Sequence, residues 1–329
     1  MSVIRILLCQ LRNHGDVIRI FPLIDAIKDI HPDWYIGFTC FEDMVETCEL
    51  NHNIDIIIPQ PRFSPVTDTQ GGTRILDCAI FRDAVEKVRK EQFDVYVDLH
   101  GVFQSALFGA MCNIKTRLGR SEETSKDGAT LFYTDICQIT KKELNRMERH
   151  FVVTNELFPE IVPLPNKKIS GDKVVIFPGS SKNGILKRWK TDYYVQLANR
   201  LSKDSTVVFI LGIEEQDIKF DLENETNCYI KICSKWSQVD EEISNAKLVI
   251  GNDAAYVHFA VWKNIPTIEI CGPLSPIING VWSYGIGETI FNPFRCKCPN
   301  VWNGVCDKKH ECMDGITVET VYESAIKYL

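Results

Sequence analysis

The sequence predicts an α/β protein made of two halves, each a parallel sheet covered by helices. Three observations carry this. Short apolar runs alternate with amphipathic segments, the pattern that builds βα units. The alternation breaks at a proline-rich stretch and then restarts. The chain has 329 residues, enough for about two ordinary domains.

Taken in order, residues 4–8 read as a buried strand, 17–30 as a helix, 35–39 and 54–58 as strands, 75–90 as a helix and 95–99 as a strand. A polar stretch, 120–128, precedes a helical segment, 142–158. Pro159, Pro163 and Pro165, with Lys167, Lys168 and Gly171, read as a linker. The second half repeats the scheme: strands at 174–177, 206–211, 248–251 and 267–271, and helices at 192–201, 214–222 and 254–262. In the last segment, 318–329, Val318, Val321, Tyr322, Ala325 and Tyr328 recur at helical spacing, so it is a closing helix with one apolar face. The expected domains are 1–165 and 166–317, followed by this helix.

Composition narrows the function. Hydrophobic residues make up 45% and charged residues 25%, which excludes disorder and fibrous repeats. With 37 Lys and Arg against 44 Asp and Glu, the formal charge is −7, so the chain lacks the footprint of a general nucleic-acid binder. No apolar run reaches the ~18 residues of a membrane span. The first run, 3–11, is interrupted by Arg5 and Gln10 and has no cleavage site, so the expected location is the cytoplasm. Nine of the 13 cysteines are scattered singly, as buried thiols in a reducing compartment are.

Two α/β halves place ligands beyond the carboxyl ends of strands, in a cleft between the domains. Four loops at strand ends are the candidates. In 10–16, Asp16 reads either as a helix cap or as a general base taking a proton from an acceptor hydroxyl. In Asp98-Leu99-His100-Gly101, Asp98 and His100 read either as polyol ligands or as turn formers. Pro178-Gly179-Ser180-Ser181, followed by Lys187-Arg188-Trp189-Lys190, suits a diphosphate, the alternative being a solvated basic run. In Gly251-Asn252-Asp253-Ala254-Ala255, followed by His258, a helix start offers amides to a diphosphate, the alternative being a cap by Asp253 with His258 in the core.

Absent motifs matter as well. No Asp-x-Asp pair occurs, which removes the usual acidic clamp for a divalent metal on a sugar nucleotide. Gly-x-Gly-x-x-Gly and Gly-x-Ser-x-Gly are also missing, against a dinucleotide dehydrogenase and a hydrolase.

In order and spacing, these pieces resemble the bacterial heptosyltransferase family, inverting glycosyltransferases of the GT-B fold, with two Rossmann-like domains facing a central cleft, that add heptose to the lipopolysaccharide inner core. The resemblance runs through Gly15-Asp16 with Pro22, Asp98-Leu99-His100-Gly101 with Ser105-Ala106, and Gly119-Arg120 followed by Leu131-Phe132-Tyr133. It continues through Pro178-Gly179-Ser180-Ser181 with Lys187-Arg188-Trp189, Gly251-Asn252-Asp253 with His258, and Gly272-Pro273. The resemblance implies Asp16 as the catalytic base, Lys187 on the phosphates, Ser180 and Ser181 beside the diphosphate, and Glu214 on the ribose. It also implies Asp253, Ala254, Ala255 and His258 at the donor-binding helix, ADP-heptose as donor, and metal-independent transfer with inversion. Ala254 stands where the family commonly has Thr or Ser, so a side-chain hydroxyl for the phosphate is missing.

Arg117, Arg120, Lys141, Lys142, Arg146 and Arg149 make the first half locally basic, as an anionic saccharide or glycolipid acceptor at the inner face of the membrane requires, or as a solvated face does. Arg120 is the acceptor ligand singled out, beside Asp98 and His100. Cys296, Cys298, Cys306, His310 and Cys312 bring five soft ligands within 17 residues, a candidate structural zinc or iron site against the alternative of plain thiols. The one-residue gap between Cys296 and Cys298 is shorter than zinc knuckles use. Three other readings stay open: a protein acceptor as in autotransporter heptosyltransferases, a nucleotide-sugar epimerase, and a non-catalytic zinc-module scaffold.

Overall fold

A computed structural model of the chain describes residues 3–62, 64–65, 74–75, 78–139, 143–167, 171–294, 301 and 304–329. Contacts divide the chain into two compact units: residues 1–142 with 147–164, and residues 165–329 with 143–146.

The N-terminal unit runs β1 (Arg5–Cys9), α1 (His14–Ile18), α2 (Phe21–Ile30), β2 (Tyr35–Phe41), α3 (Val45–Cys48), β3 (Ile56–Gln60), β4 (Ser64–Pro65), β5 (Arg74–Ile75), α4 (Cys78–Glu91), β6 (Val95–Asp98), α5 (Phe103–Met111), β7 (Thr116–Arg120), β8 (Asp135–Cys137) and α6 (Arg146–Thr154). Six strands form one parallel sheet in the order β3-β2-β1-β6-β7-β8, while β4 and β5 pair separately. Without that small ribbon this is the doubly wound order 3-2-1-4-5-6. Ile6, Leu7, Leu8 and Cys9 are all fully buried, because helices cover both faces of the central strand.

The C-terminal unit repeats the plan: β9 (Lys173–Phe177), α7 (Thr191–Leu201), β10 (Thr206–Leu211), α8 (Gln216–Glu225), β11 (Tyr229–Ile232), α9 (Trp236–Ser244), β12 (Ala246–Asn252), α10 (Ala255–Trp262), β13 (Thr267–Cys271), α11 (Pro276–Asn279), β14 (Gly287–Phe291), α12 (Glu311–Asp314) and α13 (Val318–Ala325). Its sheet is parallel, in the order β11-β10-β9-β12-β13-β14, again 3-2-1-4-5-6. Residues 143–146 join this unit through Asn145, whose Nδ2 donates to Gly280 O at 2.9 Å. The closing helix α13 buries Val321 and Ala325 in the core of this unit, with Val318, Tyr322 and Tyr328 packed at its edge.

Several elements differ from the sequence reading. The helix expected over 17–30 is two helices, because Pro22 has no backbone N–H and starts α2 instead of continuing α1. The helix expected over 142–158 is confined to α6. Strands β7, β8, β11 and β14 are additional: Thr116 and Arg117 at the start of β7 are half-buried, and Tyr229, Lys231 and Ile232 in the edge strand β11 are exposed, so neither reads as an apolar run. Among the described residues, no helix is long and apolar enough to cross a membrane.

Candidate functional site

In a doubly wound sheet, the crevice for ligands opens where the strand order reverses. In the N-terminal unit that point lies between β1 and β6, so the loops after them, 10–16 and 99–102, are the ones it presents. In the C-terminal unit it lies between β9 and β12, which presents 178–181 and 253–254. These are the four loops the sequence singles out.

Asp16 is the third residue of α1, whose N-cap is Asn13, so the carboxylate is not spent on capping. Its Oδ1 lies 3.6 Å from Nη1 of Arg19, and the Asp16 side chain is 13% exposed. Next to it, His14 Nδ1 meets Thr47 Oγ1 at 2.6 Å and ties α1 to α3.

Two imidazoles register the same charges. Burial drives His100 down to about 3, with Arg12 adding to the effect and Asp16 opposing it. Burial likewise holds His150 well below its ordinary value, with Arg149 and Arg120 reinforcing and Asp16 opposing. Both are neutral at pH 7, and the positive charges that act on them are mostly guanidinium groups, with Lys126 beside His100.

Of its two sequence readings, polyol ligand or turn former, Asp98 makes the bonds of a turn former. It is fully buried and its oxygens are filled: Oδ1 accepts the His100 and Gly101 amides at 2.9 Å, and Oδ2 accepts the Ser105 and Tyr133 hydroxyls at 2.7 Å. Burial raises its pKa despite these bonds. Asp98 is therefore the frame of its loop, which holds His100 in place. Gly101 has φ +75°, and a Cβ there would lie 2.4 Å from Arg120 Nη2. That close approach lets the Arg120 guanidinium donate to His100 O.

In the C-terminal unit, Lys187 ends a 3-10 segment, 182–187, and is buried rather than part of a solvated basic run. Its Nζ donates to Asp253 O and sits 4.0 Å from Asp253 Oδ2. Ser180 Oγ donates to Gly184 O at 2.9 Å and accepts from Arg188 Nε at 3.1 Å. A point one bond from Gly184 Cα lies 3.1 to 3.3 Å from Lys187 Cε, Ser181 Oγ and Ser180 Oγ, so these three side chains converge.

Helix α10 starts at Ala255 with Ala254 as N-cap and no side-chain cap bond. Its first amides point out of the helix with the positive dipole end behind them. Asp253 does not cap the helix: its Oδ1 lies 3.4 Å from His258 Nε2. Asp253, Glu269 and Cys271, all buried, bring one ligand atom each within 4.8 Å of one another. Lys187 supplies the nearby positive charge for that acidic group.

Three residues without an assigned role in the sequence reading belong to this site. Asn252 is fully buried; its Oδ1 accepts Trp189 N–H and Tyr194 O–H, and its Nδ2 donates to Pro178 O and Gly179 O. It ties the 178–181 loop to the segment carrying Lys187. Glu215 is buried beside Glu214, the acid named in the sequence reading, whose side chain lies outside the described residues. Its Oε2 accepts Gly212 N–H at 2.7 Å, and a Cβ on Gly179 would overlap its Oε1. An acid three residues beyond the glycine that follows β10 is the sequence signal that could have found it. Tyr256, the second residue of α10, is the third.

Of the cysteine cluster, the described residues are Cys306, His310 and Cys312. Cys296 and Cys298 lie outside the described residues, as do Lys141 and Lys142. Cys312 packs in the apolar core beside Met313 and Ile316. His310 uses Nε2 on Leu186 O at 2.6 Å, and its N–H donates to Cys306 Sγ at 3.2 Å, which fastens the cysteine segment to the loop of Lys187. Among the described residues, the group that brings three ligand atoms together is that of Asp253, not one containing Cys306, His310 and Cys312.

Residues 81–288 match glycosyltransferase family 9 (heptosyltransferase). No curated protein matches the sequence. Among solved structures, the chain is similar to Escherichia coli heptosyltransferase WaaC with ADP, at 16% identity and a TM-score of 0.77, over 99% of this chain and 100% of that one. It is similar to a family 9 glycosyl transferase from Veillonella parvula, at 16% and 0.77, over 100% and 98%. A third likeness is E. coli ADP-heptose lipopolysaccharide heptosyltransferase II, at 17% and 0.72, over 99% and 98%. At these identities the likeness establishes the fold, two doubly wound domains of the GT-B kind.

Proposed function

Because the chain belongs to glycosyltransferase family 9, the heptosyltransferases, we propose that this glycosyltransferase moves heptose from ADP-heptose to a hydroxyl of a lipopolysaccharide-core or related glycan. The observation that carries the proposal is the division of chemistry between the two switch points. One holds an acid among arginines and neutral imidazoles; the other holds a buried lysine beside an uncapped helix start.

In the N-terminal unit, the acceptor hydroxyl attacks the anomeric carbon while its proton passes to the Asp16 carboxylate. The bond from that carbon to the diphosphate oxygen breaks, ADP leaves with the electron pair, and the configuration inverts. No covalent sugar–enzyme intermediate is needed, so one acid suffices. Arg120 and its neighbours offer positive charge to an anionic saccharide or glycolipid, and His100 is a neutral hydrogen-bonding partner for a sugar hydroxyl.

In the C-terminal unit, the diphosphate takes the amides at the start of α10, the Ser181 hydroxyl and the charge of Lys187, all of which gain strength as negative charge develops on ADP. Glu215 takes the ribose role. Lys187 and the helix dipole do the work of a metal, so EDTA leaves transfer intact. The cysteine segment has a structural part here, since His310 braces Leu186, and no step of the transfer passes through it. The proposed workplace is the cytoplasm, at the inner face of the membrane where the acceptor is a glycolipid. The test is ADP release from ADP-heptose in EDTA with a core-saccharide acceptor. The reading predicts acceptor-dependent release by the wild type and none by Asp16→Asn. Release without acceptor, or conversion of ADP-heptose to an isomer, contradicts it.

A further inference from the structure

The Tyr256 side chain has no part in the chemistry above, yet it is mounted as a recognition group. Its ring stacks on Phe177, the last residue of β9, with centroids 4.6 Å apart and planes 10° apart, and lies 5.1 Å from the ring of Trp236 at the start of α9. Trp236 in turn packs on Phe259 of α10 at 5.5 Å. Three elements thus fix one ring, which makes the position of its hydroxyl independent of any ligand.

That hydroxyl points at the ends of β9 and β10. A Cβ built on Gly212 would lie 3.6 Å from Tyr256 Oη and 3.5 Å from Glu215 Oε2, so phenol and carboxylate flank one glycine. The carboxylate already bonds the Gly212 amide, and its other oxygen rests on Gly179 of the phosphate loop. Among the described residues, the phenol oxygen has no hydrogen-bond partner. Burial, with the Glu215 charge next in effect, pushes the phenol pKa up, so it keeps its proton at any physiological pH. A fixed O–H next to a fixed carboxylate, both beside a phosphate loop, forms a donor and an acceptor for adjacent hydroxyls.

We infer that Tyr256 is a specificity-determining residue for the nucleoside of the donor, its hydroxyl reading one of the two ribose hydroxyls while Glu215 takes the other. This rests on the reading that the C-terminal unit binds an ADP-sugar. The consequence is selection of ribo- over deoxyribonucleotides, since a site built to bond a hydroxyl rejects a ligand that lacks it.

The test is calorimetric titration of the wild type and of Tyr256→Phe with ADP, 2′-deoxy-ADP and 3′-deoxy-ADP. The substitution keeps the ring and its stacking and removes one oxygen; unchanged melting without nucleotide checks that the fold survives. The expected result is that the wild type binds ADP about tenfold or more tightly than one of the deoxy analogues, and that Tyr256→Phe binds those two alike. A wild type that binds ADP with a preference Tyr256→Phe leaves unchanged, or with no preference at all, overturns the role of Tyr256 alone. A wild type that binds none of the three overturns the donor reading and this inference with it.

Discussion

Asp16 and Lys187 carry opposite halves of the proposed reaction, so their substitutions should fail in different ways. Asp16→Asn removes the base and leaves the donor groups untouched; turnover should fall about a thousandfold, within the range for general-base catalysis, with ADP affinity within twofold of the wild type. Lys187→Met removes a charge from the diphosphate. The loss of one charge-assisted contact is about 1.5 to 3 kcal/mol, so ADP should bind about ten to a hundred times more weakly by calorimetry. Both residues were named from the order and spacing of short motifs. Other residues gave no such signal. Glu215 was not named, since only the structure shows its carboxylate bonded to the amide of Gly212 and lying against the bare Cα of Gly179. For Asp98 the sequence left ligand and turn former open, and only the structure shows its oxygens filled by two amides and two hydroxyls.

At the scale of elements, the site depends on how strand ends are tied to the loops beyond them. Asn252 ends β12 and makes four hydrogen bonds that join β12, the 178–181 loop and the Lys187 segment. Asn252→Ala leaves several buried donors and acceptors without partners, each worth about 1 to 3 kcal/mol. We expect a loss of about 3 kcal/mol or more in urea unfolding, together with weaker ADP binding because the phosphate loop is released. A variant that unfolds at the wild-type midpoint would deny Asn252 this function. The elements legible in the sequence were the interior ones, whose strands are apolar throughout, such as β1, β9 and β10. Edge strands β8, β11 and β14 carry half-exposed polar residues and lack that signal. The break between α1 and α2 at Pro22 was missed, and it matters because it confines Asp16 to a short helix of its own.

For the whole molecule, the alternation of strands and helices disclosed two α/β halves but not the strand order. The order 3-2-1-4-5-6, met twice, places the loops after β1, β6, β9 and β12 at the two switch points. The same burial that arranges the first switch point also makes stability depend on pH. His100 and His150 are neutral in the folded chain and ionise near 6.5 when unfolded, so unfolding takes up protons as pH falls below 6.5. Stability is full above that value and declines below it, by about 1.4 kcal/mol per pH unit for each imidazole. For His100 the decline continues to about pH 3. Melting temperature should therefore drop between pH 7 and 5, and His100→Asn should make that slope shallower; an unchanged slope would place the proton uptake elsewhere. The account as a whole stands on the division of labour between the two units. The measurement that tests it most directly is parallel titration of ADP and assay of heptose transfer from ADP-heptose, in EDTA, on Asp16→Asn and the wild type. The account predicts equal ADP affinity and transfer by the wild type alone. Transfer by Asp16→Asn at the wild-type rate, or wild-type transfer abolished by EDTA, would contradict it.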